Sequence, residues 1–118
     1  MAFKFEKLDV WKRGVNFADE MFSLADELPQ RYQFSLGEQL RRASLGVPTN
    51  IAEGCGRDGV KEKAYFFRIA KGSLYEVVSL LVIMGKRGEL SKNQYVTHYE
   101  EADEIAAMLT SLNHRRRQ

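Results

Sequence analysis

Two short stretches carry the residue types of a phosphate-handling site. Gly54-Cys55-Gly56-Arg57-Asp58-Gly59 gathers glycines around a cation, and Lys71-Gly72-Ser73 has the order of a P-loop ending. Their context argues against that chemistry. The glycine run lacks the Gly-Lys-Ser/Thr ending and follows a helical pattern where a strand is required, and Lys71 lies inside another helical pattern. The run therefore reads as an interhelical turn. Histidines number two, His98 and His114, with no Cys, Asp or Glu at a recognised metal spacing and no Glu-x-x-His pair. That sets aside the di-iron carboxylate bundles, and no metal or cofactor is expected. The single cysteine, Cys55, excludes an internal disulfide and a cysteine-rich zinc site. Glu53 and Lys71 could act as acid and base only if they shared a pocket open to substrate. The chain reads as non-enzymatic.

A second set of polar residues falls close to apolar stripes: Arg41, Arg42, Asn50, Glu53, Lys71 and Glu76. Ionised groups near a core are tolerated when paired, so these residues predict an ion-pair network fixing the second helix against the third, with a binding site as the alternative. Gly72 inside a helix costs about 1 kcal/mol relative to alanine, which predicts a close approach to the second helix near Gly46 or Ala43. The cations free to meet an anionic partner are Arg57, Lys61, Lys63, Arg68 and the tail Arg115, Arg116 and Arg117. In a symmetric oligomer each such patch would be repeated.

The elements that must position these residues are helices. Trp11, Val15, Ala18, Phe22, Ala25 and Leu28, with Val10, Gly14 and Met21 beside them, predict a first helix over residues 9–28, capped by Asp9 and ended by Pro29. Ser35-x-x-Glu38 reads as a capping box opening a second helix over 35–54, with Leu36, Leu40, Ala43, Val47 and Ile51 as its stripe and a kink at Pro48. Asp58 is placed as the cap of a third, 58–85, whose stripe runs from Val60 to Met84, with Phe66, Ile69, Leu80 and Ile83 adding apolar surface. Ser91-x-x-Gln94 opens a fourth, 91–113, striped by Tyr95, Tyr99, Ala102, Ile105, Leu109 and Leu112, with Glu100, Glu101, Asp103 and Glu104 outside. His98 reads as a surface or partly packed residue. Residues 114–118 form a basic tail expected to fray. Four helices on short loops predict one all-α domain, an antiparallel up-down-up-down four-helix bundle.

A formal net charge of +2 gives no global case for nucleic acid, so any such case rests on local clustering. No apolar stretch is long enough to cross a bilayer, and the charged first twenty residues are no signal peptide, so a cytoplasmic location is expected.

Phe5-x-x-Leu8-x-Val10-Trp11, Gln39-Leu40-Arg41-Arg42-Ala43, Pro48-Thr49-Asn50-Ile51-Ala52-Glu53-Gly54 and Ile69-Ala70-Lys71-Gly72-Ser73-Leu74-Tyr75-Glu76 resemble the four-helix bundle family of 23S rRNA intervening-sequence proteins. The resemblance runs from Phe5 to about Leu112 and departs at Gly46, where the family usually has serine. It implies a homopentamer around a central channel, in a family for which no enzymatic activity is established. The accessory proteins of diversity-generating retroelements are similar in fold and bind nucleic acid and a reverse transcriptase. By that likeness, RNA or DNA held by repeated basic patches is one expectation, and a protein-binding adaptor without nucleic-acid affinity is the other.

Overall fold

The computed structural model describes residues 3–117, with side chains from Phe3 to Asn113. Four long helices carry the chain: α1 (Asp9–Asp26), α2 (Glu38–Cys55), α3 (Val60–Lys86) and α4 (Lys92–Arg117). Among the described residues there is no strand. At about 1.5 Å per residue, the 27 residues of α3 give roughly 40 Å, close to the 44 Å long axis of the molecule. The bundle is one long helix tall.

Each helix packs on two others, in the order α1–α2–α3–α4 and back to α1. The numbering rises along one helix as it falls along its neighbour. Arg13 and Arg31 on the α1 side meet Glu104 and Glu89. Lys71 donates to Thr110 Oγ1 (2.7 Å), while Asn113, further along α4, donates to the Ala64 carbonyl. Gly46 faces Ser73 and Gly54 faces Phe67 across α2 and α3. Phe17, Met21, Leu40, Ile51, Phe67, Leu74, Leu81 and Ile105 are fully buried and fill the interior. Burial of apolar area at this scale is the main force holding the helices together.

Several element starts differ from the sequence reading. Asp9 is the first residue of α1, not its cap; Leu8 holds that position without a side-chain bond, and Asp9 instead meets the positive end of the helix dipole. Asp58 likewise makes no cap, since α3 begins at Val60 behind Gly59. The Ser35–Glu38 box does not form. Pro29 starts a helical turn, Gln30–Tyr32, that runs through a π-helical segment, Gln33–Gly37, into α2. There the Ser35 hydroxyl faces the Tyr32 carbonyl at 3.4 Å, and Glu38 pairs with Arg42. The second box does form: Gln94 N–H donates to Ser91 Oγ (3.1 Å) and Ser91 N–H to Gln94 Oε1 (2.9 Å).

α2 runs without interruption through Pro48, which is buried against α1 beside Gly14. α3 stops at Gly88, the one described residue with positive φ (76°). Gly88 N–H bonds to Gly85 O and Glu89 N–H to Met84 O, a Schellman ending that requires this left-handed residue. α4 continues past Asn113 to Arg117, because nothing in that stretch breaks a helix and arginine favours one.

The face that α1 turns inward is shifted from the expected one, of which Ala18, Ala25 and Leu28 are buried as expected. Val10, Gly14, Phe17, Met21 and Leu24 are buried, while Trp11 and Phe22 are half-buried and Val15 is exposed. Both stripes are apolar, and the one holding Phe17 is the one that enters the core. Tyr99 and Val60, placed on stripes by their spacing, are exposed too.

Candidate functional site

The basic residues at the start of α3 fall into two classes. Arg57 is tied down: it pairs with Glu53 (2.8 Å) and, more loosely, Glu62 (4.0 Å), and its guanidinium stacks over the Phe66 ring at 4.7 Å. Lys63 is half-buried, its ammonium donating to the Cys55 carbonyl at 3.1 Å. Lys61 and Arg68 are exposed, and among the described residues neither meets an ion-pair or hydrogen-bond partner. Between them stands Tyr65, exposed as well. Residues 61, 65 and 68 are spaced by four and three, so α3 sets cation, ring and cation on one outward stripe. Sequence reading named the two cations and missed the tyrosine, although the spacing was there to find. Arg115, Arg116 and Arg117 have side chains outside the described residues.

The polar residues of the two motif blocks do not build one network. Arg41 has a tertiary role. It donates to Asp26 (2.7 Å) and to the Gln33 amide oxygen (2.8 Å), while Gln33 donates to the carbonyls of Ala25 and Leu28. Arg41 thus stitches the free end of α1 to the start of α2. Arg42 pairs with Glu38 inside α2, and Glu53 near the end of α2 pairs with Arg57 in the turn that follows, both local contacts. Asn50 donates to the Gly46 carbonyl one turn back, at 2.8 Å. Lys71 reaches α4, not α2, and Glu76 is exposed. The network expected between α2 and α3 fails because apolar and small residues fill that seam: Gly46 against Ser73, Gly54 against Phe67. Gly72 is not in it at all; it faces solvent with nothing within 4 Å of where a Cβ would sit. Glu53 and Lys71 share no pocket, since Glu53 lines a groove of about 790 Å³ with Phe3, Phe5, Arg57 and Lys63 while Lys71 sits in the α3–α4 seam.

Two further features were not legible in the sequence. Phe5, Trp11, Val15, Phe22 and Leu45 line an apolar groove of about 500 Å³ between α1 and α2. Across the bundle, Glu20 of α1 meets His98 and Glu101 of α4, one ligand-type atom from each lying within 4.8 Å of the others. Glu101 is therefore not on the outer face. Burial, then the hydrogen-bonded Glu20 carboxyl beside it, push its pKa up to about 8, against the pull of Arg13. No described helix is long and apolar enough to cross a membrane.

No curated protein matches the chain. A crystal structure of a protein with unknown function from the S23 ribosomal protein family of Bacteroides thetaiotaomicron superposes with a TM-score of 0.82, covering 88% of this chain and 97% of that one at 19% identity. At that identity the likeness establishes the fold. The profile of the 23S rRNA-intervening sequence proteins matches residues 6–111, so the chain belongs to that family.

Proposed function

We propose that this protein is a non-enzymatic, cytoplasmic, homo-oligomeric bundle that holds RNA or DNA on basic patches repeated around the assembly, with a pentamer as the implied state. The observation that carries the reading is the Lys61–Tyr65–Arg68 stripe: two cations free of partners among the described residues, flanking an exposed ring. Cations track the phosphates and the ring offers a base a stacking surface, a combination suited to unpaired nucleic acid. Arg57, Lys63 and the arginines at 115–117 would widen the positive field. The apolar α1–α2 groove is the surface we assign to contact between copies, since exposed apolar patches of this kind mark interaction sites.

The test is fluorescence anisotropy with a labelled RNA containing single-stranded loops, at about 50 and 200 mM salt. Affinity that falls steeply with salt, and that weakens in the Lys61→Ala/Arg68→Ala variant while folding is retained, supports the reading. Tyr65→Ala should lower affinity by about 1–3 kcal/mol at both salts, as expected of a stacking contact. Binding that survives all three substitutions overturns the stripe as the interface.

The groove also favours a second reading, an adaptor that docks an amphipathic segment of a protein partner such as a polymerase. It predicts no affinity for RNA alone, and loss of a co-purifying protein on Trp11→Ala.

A further inference from the structure

We propose that Glu20, His98 and Glu101 form a binding site for a divalent transition-metal cation, zinc by preference, between α1 and α4. The site stands apart from the basic stripe and does not depend on the reading above.

His98 and Glu101 lie one turn apart on α4, so both side chains leave the same face toward α1, where Glu20 meets them. One nitrogen and two carboxylate oxygens converge within 4.8 Å. His98 Nδ1 is sealed from solvent and has no hydrogen-bond partner among the described residues. Glu101 Oε1 stands 3.7 Å from it, too long for a hydrogen bond. Two ligands on one tetrahedral zinc, bonded at 2.0–2.2 Å, are separated by about 3.3–3.5 Å. The 3.7 Å between His98 and Glu101 is therefore close to the separation of two ligands on one ion, and small side-chain adjustments bring the three atoms to it.

The charges suit the ion. A buried imidazole lone pair without a donor is costly, and a cation answers it. Once the ion displaces the proton held between Glu20 and Glu101, the two carboxylates neutralise its divalent charge. Arg13, which also faces Glu101, has its charge paired by Glu104. A mixed imidazole–carboxylate donor set selects zinc and its first-row neighbours over magnesium or calcium, which favour oxygen alone. Glu20 is exposed, so the ion can enter from solvent and keep a water as its fourth ligand.

The experiment is isothermal titration of Zn²⁺ into the full, tag-free chain, run alongside Glu20→Gln and His98→Gln in a Cys55→Ser background that removes the thiol as a competitor. We expect one zinc per chain, with affinity falling by about 10–100-fold or more in each variant, at least the loss that follows removal of an outer-shell partner. Co²⁺ in place of zinc should give the visible absorption of a tetrahedral site, absent from both variants. Glu20 is exposed, so its substitution keeps the fold even if His98→Gln does not. Zinc that binds both folded variants as tightly as the parent, or fails to bind the parent, overturns the site.

Discussion

Gly54 sits edge-on to Phe67, so closely that a Cβ on the glycine would lie 2.8 Å from Cε1 of the ring and 3.1 Å from Cδ1. Phe67 is fully buried in the second turn of α3, so its ring can give way only by displacing core neighbours. Gly54→Ala should therefore destabilise the protein by about 1–3 kcal/mol through overpacking. Urea denaturation would read this as a lower midpoint with an unchanged slope. An unchanged midpoint would mean that α2 and α3 can separate at this point without loss.

Gly72 predicts the opposite sign. It lies inside α3, exposed, with open space around it. Gly72→Ala gains helix propensity without a clash and should stabilise by about 1 kcal/mol. Measured together, the two glycine variants separate a packing role from a merely tolerated residue; a destabilised Gly72→Ala would point to contact with a partner at this position.

Adjacent arginines should behave differently. Arg41 holds both Asp26 and Gln33, and Gln33 in turn satisfies two carbonyls at the end of α1. Removing it leaves polar groups of a part-buried network unmatched, and Arg41→Ala should cost about 1–2 kcal/mol. Arg42 makes one solvent-exposed pair with Glu38, worth at most a few tenths, so Arg42→Ala should stay within about 0.5 kcal/mol of the parent. Thermal melts of the two variants under one buffer decide the matter, and equal losses would refute the distinction.

Glu101 should make stability depend on pH. Its folded pKa, about 8, lies above the ordinary carboxyl value, so the folded state holds a proton that the unfolded chain has released. The resulting stabilisation is full below about pH 4.5 and is lost as pH rises through 8. Facing it are Glu20 and Arg13 from α1 and Glu104 and His98 from α4. Glu101→Gln keeps the neutral form at every pH. With chelator present, its melting temperature should match the parent at the acid end and exceed it by a widening margin toward pH 8; a constant gap would show that Glu101 ionises normally.

Much of the bundle was readable because it is local. Apolar spacing gives four helices, and Ser91 and Gln94 satisfy each other's backbone within a single turn. The failures are all tertiary or competitive. Trp11, Val15 and Phe22 form as good an apolar stripe as Phe17, Met21 and Leu24, and periodicity cannot choose which one turns inward. The Ser35–Glu38 box was outcompeted by Pro29, which starts the helical path earlier and draws Ser35 into a π-helical segment. An interior glycine looks the same in sequence whether it is pressed against a neighbour, as Gly54 is, or bare to solvent, as Gly72 is. His98-x-x-Glu101 was visible as a spacing, but its third member, Glu20, comes from a helix at the other end of the chain.

The seam between α2 and α3 is the most extensive in the molecule, and residues 56–59 are all that separates the two helices in sequence. Such a pair can zip from its turn outward, each new contact closing only a slightly longer loop. The order of assembly follows: the α2–α3 hairpin is where native contacts are reached earliest, and α1 and α4 then settle on a surface already made. Substitutions along that seam, Gly54 among them, should slow folding, whereas those in the α1–α4 contact should chiefly hasten unfolding.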